Sequence, residues 1–139
     1  MTRRSRAREV VLQVLYQDDL NPGNNPAVAD QFLQSRLKDD ELSQFARTLL
    51  SGVRRNRQEL DEMLNQTAEN WTIERMAVTD RNVLRLGAYE ILFLDTPDRV
   101  AINEAVELAK RFGSTHSAQF VNGILDRFLA GHEKRTKDK

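Results

Sequence analysis

Apolar residues recur at intervals of three and four along nearly the whole chain, and no stretch sustains the alternation of a half-buried strand. The pattern therefore reads as all-helical. A first helix is expected from about Arg4 to Leu20, with Val10, Val11, Val14 and Leu15 as its buried stripe and the turn-forming run Asn21 to Pro26 as its stop. A shorter helix follows, carrying Val28, Phe32, Leu33 and Leu37 on one face. From Leu42 a stripe through Phe45, Ala46, Leu49, Leu50 and Val53 resumes at Leu60, Met63 and Leu64, as one long helix or two with a kink.

Around Trp71 the pattern weakens to a brief helical turn. Thr79, followed by Asp80, reads as the N-cap of a helix from Arg81 to Leu94 that is apolar nearly all round and so belongs at the centre of the core. Thr96, Pro97 and Asp98 end it. The next helix places Ile102, Ala105, Val106, Ala109 and Phe112 inward and stops at Gly113, after which Ser114 or Thr115 can cap the last helix. Val121, Ile124, Leu125, Phe128 and Leu129 give that helix its core face. Gly123 lies inside it at a cost of about 1 kcal/mol relative to alanine, most simply repaid by close approach of a neighbouring helix. The result is a compact assembly of about seven helices, divided into small bundles.

The chain has 139 residues, enough for one domain that buries a core without disulfide or metal staples. A single domain over residues 1–131 is expected, followed by a charged, disordered tail over 132–139. Lysine plus arginine number 21 and aspartate plus glutamate also number 21, so any attraction to a polyanion must come from uneven placement of charge. There is no cysteine, hence no disulfide framework or thiolate site, which fits the cytoplasm. No apolar run approaches the length of a membrane span, so no membrane partner is expected.

Catalytic and metal-binding patterns are missing from the sequence. Neither His116 nor His132 has a glutamate three positions before it, as a di-iron site of the helical-bundle type would need. Glu104 and Glu107 share a helix face but read as surface charge rather than as an acid and base pair. Phosphate-binding glycine loops and nucleophile elbows do not occur. No cofactor and no enzymatic activity are expected.

The uneven charge sits at the start. Arg3, Arg4, Arg6 and Arg8 occupy the first turns of the first helix, against the positive end of its macrodipole, where each costs roughly a few tenths of a kcal/mol. Helix stability does not explain them. They form either a solvated helix end or, with the free backbone N–H groups there, a grip on phosphates. Tyr16 and Leu12 project beside the main stripe, to pack on another helix or to offer an aromatic for stacking; Phe120 stands at the edge of the last helix's apolar arc.

Val100 to Gly113 (VAINEAVELAKRFG) and Phe120 to Arg127 (FVNGILDR), with LRLGAYEI before them and RRSRAREVVLQVLYQ at the start, resemble the NusB family of bacterial transcription antitermination proteins. The resemblance runs the length of the chain in order. It implies a NusB-like fold of two helical subdomains that binds the boxA RNA of ribosomal RNA operon leaders. The implied partner is NusE, a small-subunit ribosomal protein, and the pair acts on the RNA polymerase elongation complex. Some family members form a homodimer that buries the RNA surface.

Carried onto this chain, the RNA-contacting residues implied by the resemblance are Arg3, Arg4, Arg6, Arg8, Tyr16, Gln119 and Phe120. The NusE-facing residues are Glu74, Asp80 and the start of the last helix at His116, where the family often carries an acid. The rival reading is the NusB-like RNA-binding module of ribosomal RNA methyltransferases, which for a chain ending at Lys139 would need a separate catalytic subunit.

Overall fold

Among the described residues, the N-terminal arginine helix and six more α-helices make up the fold. They are α1 (Arg3–Leu20), α2 (Pro26–Arg36), α3 (Asp40–Arg55), α4 (Arg57–Thr67), α5 (Val78–Phe93), α6 (Asp98–Phe112) and α7 (Ser117–Gly131), with a 3-10 turn at Ile73–Arg75. The structure is a computed structural model that describes residues 3–23 and 25–132. Most of the expected tail, from Glu133 to Lys139, lies outside the described residues. His132 does not belong with it: its ring stacks on Phe128 at 4.3 Å and its Nδ1 lies 2.9 Å from the Phe128 carbonyl.

The helix expected at the centre is there. Every residue of α5 from Asn82 to Leu92 is buried, and α5 packs against α1, α3, α4, α6 and α7. Helices α1, α2 and α3 pack on one another, α7 packs on both α4 and α6, and α5 joins the two groups. These are the two helical subdomains.

The stripe from Leu42 to Leu64 divides into two helices at Asn56, whose backbone (φ −106°, ψ 13°) leaves the helical path. Asn56 closes α3 with both its amides: the backbone N–H reaches the Gly52 carbonyl at 3.1 Å and the side-chain amide reaches the same oxygen at 2.8 Å. Other helix ends also differ from expectation. Helix α5 starts at Val78 after Ala77, so Thr79 lies inside its first turn rather than capping it, and Asp80 meets the dipole there. His116 takes the N-cap position of α7, while the Ser117 hydroxyl accepts the Ser114 N–H at 2.9 Å. In α2 the buried residues are Ala29 and Leu33; Val28 is 58% exposed and faces a cleft instead of the core.

Helix α1 is pinned at its C-terminal end by Asp19. Its carboxylate is almost fully buried and accepts from Arg81 at 3.0 Å, Arg85 at 3.1 Å and Asn82 at 2.8 Å, and Arg57 of α4 also pairs with it. Burial raises the pKa of this carboxyl, but Asn82 and the three arginines outweigh burial and hold it below the usual carboxylate range. A depressed folded-state pKa means stabilisation that is present above the unfolded value of about 4 and is lost as pH falls through the folded value.

The close approach assigned by the sequence to Gly123 is found elsewhere. A Cβ on Gly123 would meet only the Arg127 guanidinium at 3.9 Å, whereas one on Gly52 would run into the buried Tyr89 ring of α5. Gly123→Ala should therefore raise unfolding stability by up to about 1 kcal/mol, and Gly52→Ala should lower it by about 2 kcal/mol, both read by chemical denaturation. In the same assay, wild-type stability should fall more steeply below about pH 4 than that of Asp19→Asn, because only the wild type has this carboxylate to protonate.

Candidate nucleic-acid and partner interface

The four N-terminal arginines separate by depth. Arg8 is only 4% exposed, and its Nε and Nη2 donate to the two carboxylate oxygens of Glu90 in α5 at 2.7 and 2.9 Å. Glu104 of α6 lies 3.4 Å from Nη1, and the Thr96 hydroxyl donates to Glu90 at 2.9 Å. Burial alone would lower the Arg8 pKa; Glu90 and Glu104 reverse this and hold it above its ordinary value. A guanidinium so enclosed does not face a ligand. The expectation that Arg8 contacts RNA is corrected accordingly: its fork is used up inside the protein. Glu104 is corrected with it, since it bonds Arg8 and the Ser5 hydroxyl (2.6 Å) instead of decorating the surface.

Arg3, Arg4 and Arg6 are exposed. Arg3 pairs with Asp39, the residue whose side chain caps α3 by accepting the Leu42 N–H at 3.1 Å. Arg4 lies over the Phe45 ring of α3 at 4.3 Å. Arg6 approaches Glu9 at 3.3 Å, and Glu9 also pairs with Arg111 at the end of α6. Local partners thus hold each guanidinium in place while leaving the side chains of Arg3 and Arg6 70% and 44% exposed. Tyr16, 38% exposed, lies seven residues beyond Glu9 in α1 and so on the same face, about 10 Å along the axis.

A second surface lies where the 3-10 turn meets α7. Phe120 is half-buried and meets Trp71 edge to face, ring centres 5.8 Å apart at 80°. Both line an open cavity of about 260 Å³ whose polar rim is Arg75, Asp80, Ser114 and His116. Asp80 Oδ1 is buried there without a hydrogen-bond partner among the described residues. Phe120, implied for RNA, and Asp80 and His116, implied for the partner, therefore share one cavity. Gln119 is exposed next to Phe120, while Glu74 lines a different cleft with Arg54, Arg55 and Arg57.

The two surfaces are joined through the α6–α7 turn. Arg111 belongs to the arginine cluster and Ser114 to the cavity rim, and three residues of chain span at most about 11 Å. Sequence reasoning missed Trp71, Arg75 and Arg111. Trp71, the only tryptophan, stands 52% exposed in the stretch where periodicity fades, which was the available signal. Among the described residues there is no cluster of three or more His, Asp or Glu that could hold a metal, and no helix long and apolar enough to cross a membrane.

A bundle with no strand among the described residues, which presents exposed arginines at one helix start and paired aromatics over a cavity rimmed by Arg75, Asp80 and His116, has the character of a helical binding protein. Residues 5–130 match the model of the NusB family, and the chain belongs to that family. It is 43% identical over 131 residues to the transcription antitermination protein NusB of Anaeromyxobacter dehalogenans, covering 94% of this chain and 92% of that one. The fold superposes on Thermotoga maritima NusB with a TM-score of 0.84 at 38% identity, covering 94% and 93% of the two chains. It also superposes, with a TM-score of 0.85 at 26% identity and coverage of 95% and 100%, on a chain from a crystal structure of the antitermination factors NusB and NusE in complex with double-stranded RNA.

Removing Arg8 takes the bidentate guanidinium from the buried Glu90 carboxylate, so Arg8→Ala should lower unfolding stability by about 3–5 kcal/mol. Arg8→Lys should recover little, because an ammonium cannot satisfy both carboxylate oxygens. Arg6→Ala, on the surface, should cost less than about 1 kcal/mol. Parallel denaturant titrations of the three variants check this division of roles.

Proposed function

We propose that this chain acts in transcription antitermination in the cytoplasm by binding the boxA RNA of ribosomal RNA operon leaders together with NusE, in association with the RNA polymerase elongation complex. The observation that carries this reading is the exposure of Arg3 and Arg6 at the start of α1, next to Arg111 and in line with Tyr16, in a chain of the NusB family. Those guanidiniums supply the sequence-independent part of binding by displacing counterions from phosphates. Tyr16 and Phe120 supply flat faces on which unpaired bases stack, and Gln119 offers an amide to a base edge.

Asp80 and Glu74 give the partner side its acidic character, suited to a basic ribosomal protein. The chain carries His116 where the family often carries an acid, so Asp80, which lines the same cavity, takes over that contact. The role is one of binding, with no covalent step assigned to any residue. RNA polymerase is engaged through the assembled RNA and NusE complex.

Fluorescence anisotropy with a boxA-containing leader RNA and a scrambled control tests the proposal. Affinity for boxA RNA should fall with salt, tighten when NusE is added, and exceed that for the control. Replacing Arg3 or Arg6 with Gln should each reduce the slope of log K against log salt by about 0.7, the value of one single-strand phosphate contact. Equal affinity for boxA and scrambled RNA, with and without NusE, would sink the claim of selective recognition.

A further inference from the structure

Phe45 of α3 lies beside the arginine-rich start of α1 but is not among the residues that the family resemblance assigns to RNA. Its half-buried ring is approached by two guanidiniums, Arg4 at 4.3 Å and Arg8 at 5.3 Å from the ring centre. The two differ in what else they hold. Arg8 is committed to Glu90 and Glu104, whereas Arg4 is exposed and makes no ion pair among the described residues. Arg4 and Phe45 open onto a cleft of about 370 Å³, whose other walls are Gln44 and Thr48 of α3 and the segment Leu94 to Thr96 after α5.

The chemistry of this cleft favours one class of ligand. Glu41 and Asp95 also line it, so a phosphate entering would meet two carboxylates against the single free guanidinium of Arg4. An apolar side chain would find only Leu94 and the Phe45 ring to cover it. A nucleobase is neutral and planar: its face stacks on the guanidinium and ring, and its exocyclic amine donates to the carboxylates or to the Gln44 amide oxygen. Arg3, next to Arg4 in α1 and paired with Asp39 at the start of α3, is placed to meet a flanking phosphate outside the cleft.

We propose that the Arg4 and Phe45 cleft is a nucleobase subsite, in which one unpaired, amine-bearing base of the bound RNA stacks on the paired guanidinium and ring. This rests on the RNA-binding reading and adds a place and a base class to it.

The test uses the full chain and the boxA-containing leader RNA, together with a set of the same RNA carrying one abasic position each. Phe45→Leu keeps apolar bulk but removes the ring, and Phe45→Tyr keeps the ring. Phe45→Leu should weaken binding roughly five- to hundredfold, the range for loss of one stacked base, while Phe45→Tyr binds as the wild type does. One abasic position should cost the wild type a similar factor and cost Phe45→Leu nothing further. The salt slope should be the same in both, since no phosphate contact is lost.

Thermal melts show that the variants are folded at the assay temperature. Binding by Phe45→Leu within twofold of wild type, or a loss spread evenly over all abasic positions, overturns the subsite and leaves the RNA reading standing. Failure of the wild-type chain to bind the RNA at all overturns both.

Discussion

The buried pair of Arg8 and Glu90 is the constraint on which the rest depends. A guanidinium and a carboxylate taken out of water cost several kcal/mol each, and this cost is offset only if both groups are matched nearly in full. Here the match is bidentate, with Thr96 completing Glu90 and Glu104 adding a second carboxylate to Arg8. Such a pair tolerates little sliding or rotation. It therefore fixes the register of α1 against α5 and α6, and with it the places where Arg3, Arg4 and Arg6 emerge.

That division explains how a chain of zero net charge can present a cationic surface. Within two helical turns, one arginine turns inward to anchor the helix and three turn outward, each steadied by a neighbour that does not quench it fully. Pre-placement of this kind reduces the side-chain entropy that binding would otherwise cost. The aromatic cavity continues the same surface through the α6–α7 turn, so the exposed arginines and the paired aromatics follow one another along a short path. Acidic groups also stand at the cavity rim, as Asp80, and in the cleft beyond it, as Glu74.

The fold was legible in the sequence wherever apolar spacing was dense. Helix α5 could be read as central because Val83 to Leu92 leaves almost no polar face, and the extent of α1 could be read because its stripe ends at a proline-rich turn. What was not legible depended on long-range pairing. Arg8 looks like its three neighbours in sequence, and only Glu90, 82 positions away, distinguishes it. Glu104 looked like surface charge for the same reason. Gly123 and Gly52 are equally plausible points of close helix contact until the Tyr89 ring is seen to fill the space at Gly52. The candidate site divides similarly: its residues could be named by resemblance, but the sharing of one cavity by Phe120, Asp80 and His116, and the presence of Trp71 beside them, required the fold.

The Asp19 cluster imposes an asymmetry on how this protein can change. Arg57, Arg81 and Arg85 all converge on one carboxylate, and Arg85 is additionally held by Asp61. Loss of any one arginine leaves the acid with cationic partners, so each can drift to a neutral residue in a single step. Loss of the acid strands several cations around the same point, and no single substitution elsewhere restores the balance. Mutational freedom at this junction therefore lies with the many donors, and the acceptor they share is the position at which divergence should stall.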